Sequence, residues 1–188
     1  MTASETSTNT SPATAMRTSM TETSTSSKRS LPTFIGCFLV MVVLVVIDQW
    51  TKVLVLRDLA GGKVITPLPG ILQFRYVENT GAAFSVLSGR TLFLSVITAL
   101  VLCIAIVLLA LGKIPGTLNQ IAVWLMVTGG AGNLIDRVFR HYVVDFIEVL
   151  FTEFAVFNFA DCCVTIGAVI LILSTIISFV KDMRSSED

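Results

Sequence analysis

FNFADCCVTIGAVILILSTIISFV, residues 157–180, contains the conflict that decides the fold. From Cys162 to Val180 there are nineteen residues without a charge, close to the ~20 that a helix needs to cross about 30 Å of hydrocarbon. Asp161 stands at the head of that run, and an ionised carboxylate is among the costliest groups to set beside lipid. Asn158 lies three residues earlier, on the same face of any helix that holds both. A span with an acid at its lip needs a reason for the acid.

The rest of the chain shares the apolar character. It is 54% hydrophobic and 14% charged, against roughly 45–50% and about 25% for soluble domains. Hydropathy predicts four spans, at about 34–56, 92–111, 118–136 and 162–180. Asp48 and Lys52 interrupt the outer half of the first. Only Gly112 to Thr117 separates the second from the third, which makes those two antiparallel neighbours. The expected fold class is an all-α integral membrane protein, a four-transmembrane-helix bundle. An even number of spans puts both termini on one side. Lysine and arginine are split about equally between the two sides, so the positive-inside rule returns no orientation.

Composition also excludes classes of function. The formal net charge is zero, which leaves no electrostatic footprint for a nucleic-acid partner. A lone histidine, His141, rules out histidine-rich metal clusters. The four cysteines, Cys37, Cys103, Cys162 and Cys163, lack C-x-x-C spacing, so neither a zinc site nor a disulfide framework is expected. They read as small apolar fillers of membrane helices.

Seventeen of residues 1–30 are Ser or Thr, a composition that cannot bury enough surface to offset its ordering entropy. The expected organisation is a disordered tail over 1–30, a membrane domain over 31–182 and a short C-terminus over 183–188. Lys28 and Arg29 before Phe34–Ile47 imitate a signal peptide, but no small-residue cleavage site follows. An uncleaved first span is the better reading. A transit peptide fits less well, because arginine is sparse in the tail.

Two segments lie outside the spans. In residues 57–91, Leu72, Phe74 and Tyr76 alternate with Gln73 and Arg75, the period of a half-exposed strand. Pro67, Pro69 and Gly70 punctuate before it, and Glu78-Asn79-Thr80-Gly81 supplies turn chemistry after it. A small β-element on the membrane surface is expected there. Residues 138–157 are rich in Phe and read as an interfacial flap.

The polar residues that remain need explanation. Asp48 and Lys52 are four apart and read as an ion pair on one helical face. Asn133 and Arg137 share that spacing, with Asp136 beside them; Gly129, Gly130 and Gly132 before them suit close helix packing. Asp145 stands in an otherwise apolar stretch. In this topology Asp48, Asn79, Asn133, Arg137, Asp145, Asn158 and Asp161 converge near one membrane surface. Asp145 and Asp161 form the best facing pair, since neither has a basic neighbour, Lys or Arg, three or four residues away on its own helix face. Two carboxylates in a poorly solvated site do not both ionise easily. One then activates water while the other, protonated, polarises a carbonyl, which is aspartic-protease chemistry without metal or covalent intermediate. From residues alone, a proton-coupled transporter and a non-catalytic scaffold stay open beside it.

The ordered set Asp48-Gln49-Trp50-Thr51-Lys52, Glu78-Asn79-Thr80-Gly81-Ala82-Ala83-Phe84, Gly132-Asn133-Leu134-Ile135-Asp136-Arg137, Val143-Val144-Asp145-Phe146 and Phe157-Asn158-Phe159-Ala160-Asp161 resembles the lipoprotein signal peptidases, the type II signal peptidases of bacterial membranes. The resemblance covers roughly residues 35–180. It implies a four-helix aspartic endopeptidase with a small extracytoplasmic β-cradle, both termini cytoplasmic, in the bacterial plasma membrane. Its substrates would be diacylglyceryl-modified prolipoproteins, cut before the lipidated lipobox cysteine, with membrane lipid as the other partner, no cofactor and a monomeric state. Carried onto matching positions, Asp145 and Asp161 are the catalytic dyad. Asn79, Asn133, Arg137 and Asn158 contact substrate or the antibiotic globomycin, and Asp48, Lys52, Asp136 and Gly81 support the structure. Two departures stand out: His141 where the family usually has glycine, and Cys162-Cys163 where Ser-Ala is common.

Overall fold

Apolar runs become helices in a bilayer because a helix satisfies its own backbone, and the three longest runs do so here. The computed structural model describes residues 31–81 and 89–185. The Ser/Thr-rich tail over 1–30, residues 186–188 and the Ala82-Ala83-Phe84 part of the second motif lie outside those residues. Among the described residues the order is α1 (Leu31–Leu59), β1 (Val64–Leu68), β2 (Leu72–Asn79), α2 (Thr91–Ala110), α3 (Thr117–Phe139), β3 (Val143–Val149) and α4 (Phe159–Ser185).

Pro32–Leu59, Thr91–Ala110 and Phe159–Ser185 are each long and apolar enough to cross a membrane. Their large side chains point outward, as Val43, Val46 and Trp50 do on α1 and Ile172, Leu173 and Ile176 on α4. α3 has the length but not the apolarity. It packs against all three other helices, and its polar Thr128, Asn133 and Asp136 are buried. A helix wrapped by neighbours need not be apolar all round, which is why its hydropathy is diluted.

Glycines set how closely α3 and α4 approach. A Cβ on Gly129 would lie 2.1 Å from the Ala160 carbonyl oxygen, and one on Gly167 would lie 2.6 Å from that of Ala122. Small residues let two backbones touch where lipid gives no hydrophobic drive to association. A second core lies at the far end of α1, where Trp124, Val127 and Leu109 pack with Phe34, Cys37 and Met41.

The three strands form one antiparallel sheet in the order β1-β2-β3. β2 appears where alternation predicts it. β1 runs through Pro67, tolerated because β1 is an edge strand and proline cannot donate to a ladder. β3 corrects the reading of residues 138–157 as a flap: Val143–Val149 is the third strand. Its first four residues, Asp145 included, are all buried, so the sequence shows no exposed-to-buried alternation. Val144 and Phe146 cover Val55 and Leu59 at the end of α1, fixing the sheet to one end of the bundle.

Candidate active site

Strand periodicity turns Asp145 away from that core. Val144 and Phe146 face α1, so Val143 and Asp145 face the opposite side, towards α3 and α4. Asn79 pairs with Val143 and Val77 with Asp145, which sets Asn79 diagonal to Asp145 on one face. Its Nδ2 donates to Asp145 Oδ2 at 2.9 Å. The Asn79 Oδ1 accepts the Gly81 N–H at 2.9 Å, closing the expected turn.

After β3 the chain doubles back. Phe157 exchanges backbone hydrogen bonds with Ile147, its N–H donating at 3.0 Å and its oxygen accepting at 2.8 Å. This return delivers Asn158 and the start of α4 beside Asp145. There Asn158 Oδ1 accepts the Asp161 N–H at 3.0 Å, and Asp161 Oδ2 accepts the Asn158 N–H at 3.0 Å. The exchange is a reciprocal capping box, which satisfies orphan donors of a helix start. The Ala160 N–H donates to Asp48 Oδ1 at 3.0 Å, so α1 completes the cap. The conflict posed by Asp161 has its physical answer: its carboxylate terminates a helix and faces polar partners.

The two acids share one set of amides. Asn158 Nδ2 donates to Asp145 Oδ1 at 2.6 Å and to Asn133 Oδ1 at 3.1 Å, while Asn133 Nδ2 donates to Asp161 Oδ1 at 2.8 Å. Asp145 is 2% exposed. Burial pushes its carboxyl up to about 6; the Asn79 donor opposes this and the Asp161 charge adds to it.

Asp145 and Asp161 open onto a cleft of about 560 Å³. Asn79, Asn133 and Arg137 line it beside them, and its walls become apolar along Val164 and Ile166 of α4. Arg137 Nη2 donates to the Gly81 oxygen at 3.0 Å, which ties the end of β2 to α3. Its Nε is buried with no partner among the described residues. Asn158, by contrast, is fully buried and holds the acids from behind.

Asp48, Lys52 and Asp136 lie together beneath this site. Lys52 Nζ is 2.9 Å from Asp48 Oδ2 and 3.0 Å from Asp136 Oδ2. Asp136 also accepts the Val144 N–H at 3.1 Å and pairs with Arg140. Gln49 donates to Asp48 at 3.1 Å and to Asp136 at 3.2 Å and accepts from Arg140 at 3.2 Å. Gln49 and Arg140 carried no role in the sequence reading. Gln49 follows Asp48 in the quoted motif, and Arg140 is four residues from Asp136, the spacing that would have found it. A Cβ on Gly132 would meet Asp48 Oδ2 at 2.5 Å, so this position admits the carboxylate only as glycine. Among the described residues, no three His, Cys, Asp or Glu side chains group as metal ligands.

Comparison with known proteins follows the same lines. Residues 40–177 match the sequence model of the family described as signal peptidase (SPase) II. The chain is 40% identical over 133 residues to the lipoprotein signal peptidase of Streptococcus pyogenes serotype M5, covering 71% of this chain and 88% of that protein. The serotype M3 protein of the same name is 39% identical over 133 residues, with the same coverage. Among solved structures, a bacterial membrane enzyme determined by the in meso method at 2.3 Å superposes with TM-score 0.69 and 30% identity, over 77% of this chain and 89% of that one. A second, at 1.9 Å, gives TM-score 0.66 and 31% identity over 74% and 92%.

Proposed function

The chain belongs to the signal peptidase II family, and on that premise we propose that it is a membrane aspartic endopeptidase that removes signal peptides from diacylglyceryl-modified prolipoproteins, cutting before the lipidated cysteine. The observation that carries the reading is that Asp145 and Asp161 line one cleft whose further wall is apolar. A lipidated peptide needs both surfaces at once, a polar centre for its amide bond and an apolar wall for its acyl chains.

In the proposed mechanism the dyad holds one proton. Burial favours the neutral form of Asp145, so Asp145 is assigned the proton the pair shares and its partner acts as the base. Asp161 takes a proton from the attacking water, and Asp145 donates to the scissile carbonyl oxygen as it becomes tetrahedral. Collapse breaks the C–N bond: the proton on Asp161 passes to the leaving amine while a hydroxyl of the tetrahedral intermediate returns a proton to Asp145, giving the carboxylic acid and resetting the dyad. Asn79 and Asn158 hold Asp145, Asn133 holds Asp161, and Arg137, whose Nε–H has no partner among the described residues, offers it to the peptide or to globomycin. We further propose that α3 is the fourth span, that both termini are cytoplasmic and that the sheet end of the bundle is extracytoplasmic. The same reading makes the protein a monomer.

The location of the acids favours a peptidase over a transporter. They stand where the sheet meets the bundle, whereas carrier sites lie near the bilayer midplane. The test is cleavage of a lipidated prolipoprotein by purified protein, with and without globomycin. Asp145→Asn and Asp161→Asn should each reduce cleavage to background while thermal unfolding is preserved; near-normal cleavage by either would sink the dyad.

A further inference from the structure

Lys52 is fully buried at 0% exposure and has no step in the chemistry above. Two carboxylates already neutralise it, yet its Nζ makes a third contact, donating to Asn133 Oδ1 at 3.0 Å. That contact has a directional consequence. An ammonium only donates, whereas an amide presents a donor on one arm and an acceptor on the other. Lys52 therefore holds the Asn133 oxygen towards α1 and leaves Nδ2 facing Asp161 Oδ1 at 2.8 Å.

Each amide of the site is oriented by a group that has no alternative to donating. The Gly81 N–H fixes Asn79, and the Asp161 N–H fixes Asn158. Both are backbone groups close in sequence. Asn133 alone takes its orientation from distant side chains: its oxygen accepts from Lys52 Nζ, across from α1, and from Asn158 Nδ2 at 3.1 Å, and of the two only the ammonium has no acceptor to offer in exchange. A flip of Asn133 would set its carbonyl oxygen against an Asp161 oxygen, an approach tolerated only when that oxygen carries a proton.

We infer that Lys52 is a positioning residue for the dyad, locking the Asn133 amide so that Asp161 meets an N–H and not a carbonyl oxygen. The inference rests on the dyad reading given above. Beyond Lys52 and Asn133, the groups facing Asp161 are Arg137 of α3, Asp145 of β3, Asp48 of α1 through the adjacent Ala160 N–H, and Cys162 of its own helix.

The experiment removes the donor without changing local net charge, in Asp48→Asn/Lys52→Met, and reads the pH profile of kcat/KM together with thermal unfolding. The acidic limb, which belongs to the dyad as a pair, should move upward by about one pH unit, the size of shift that one hydrogen bond to a charged group produces. In an Asn133→Ala background the same double substitution should leave the residual activity's limb unmoved, because the amide that transmits the effect is gone. Lys52→Gln keeps a donor but adds an acceptor, so its limb should fall between the two; it serves as the second variant if the double substitution does not fold. A lowered melting temperature with an unmoved limb would overturn the inference and leave Lys52 a structural residue. An equal shift in the Asn133→Ala background would also overturn it. If Asp161→Asn still cleaves, the dyad reading itself fails; if Asp161→Asn is inactive and the limb is unmoved, only the role of Lys52 fails.

Discussion

Gly129→Ala tests whether the spacing of α3 and α4 sets the geometry of the dyad. The added Cβ would sit 2.1 Å from the Ala160 carbonyl oxygen and 2.7 Å from Val164 Cγ2, while ordinary contact begins at 3.4 Å. Restoring contact from 2.1 to 3.4 Å requires the helices to part by about 1.3 Å, since a backbone oxygen in a helix cannot swing aside. Ala160 precedes Asp161, so the displacement is felt one residue from a proposed catalytic group. A misplacement of about 1 Å costs on the order of 10²-fold in rate, and overpacking costs about 1–3 kcal/mol of stability. Gly130→Ala is the internal control: its Cβ would meet Leu102 Cδ2 at 2.7 Å, the flexible end of a side chain on α2. Cleavage of a lipidated prolipoprotein should fall about 100-fold for Gly129→Ala and less than about threefold for Gly130→Ala, where a rotamer change relieves the clash. Equal losses for the two, or a Gly129→Ala protein with near-normal kcat, would refute the reasoning.

Three further outcomes are expected. Because the reaction needs a protonated Asp145, the basic limb of the profile, on which activity is lost as pH rises, is set by a carboxyl pushed up to about 6. Asn79→Ala removes a donor that favours the charged form, so this limb should move to higher pH in the kcat/KM profile. His141 sits at φ 67°, in the left-handed region that costs most residues about 1–2 kcal/mol; allowing for the greater chain entropy of glycine, His141→Gly should raise stability by about 0.5–1 kcal/mol with cleavage unchanged. Deleting residues 2–27 should leave cleavage in vitro largely intact, and loss of activity would give that segment a role in the reaction.

Much of the architecture was legible because lipid imposes a blunt rule, long uncharged runs, that α1, α2 and α4 obey to within a few residues at most ends. β2 was legible because Leu72, Phe74 and Tyr76 alternate with Gln73 and Arg75 along its sequence. β3 was not: with Val143 to Phe146 all buried, nothing in VVDFIEV alternates, and only pairing with β2 makes it a strand. The start of α4 at Phe159, three residues before the expected boundary, was hidden by counting the span from the first residue after Asp161. Asn158-Phe159-Ala160-Asp161 ahead of an apolar run is also a helix-start signature, and that signal was available. The residues of the candidate site could be named from sequence because a polar group in such surroundings is conspicuous. Which amide serves which carboxylate could not be, since those bonds join α1, α3, β2, β3 and the head of α4 through tertiary packing.

The cap of α4 carries a consequence for the order of events in the cell. Asn158 and Asp161 close the first turn of the last helix, and the same two side chains complete the proposed dyad and its support. α4 comes after the other described helices in the chain, and its head is finished by a carboxylate from α1. On the proposed assignment, a chain whose α4 has not yet been made or has not yet docked has no catalytic centre. On that assignment activity depends on a contact between α1 and α4, so a copy in which that contact is missing would not cleave the substrates proposed above.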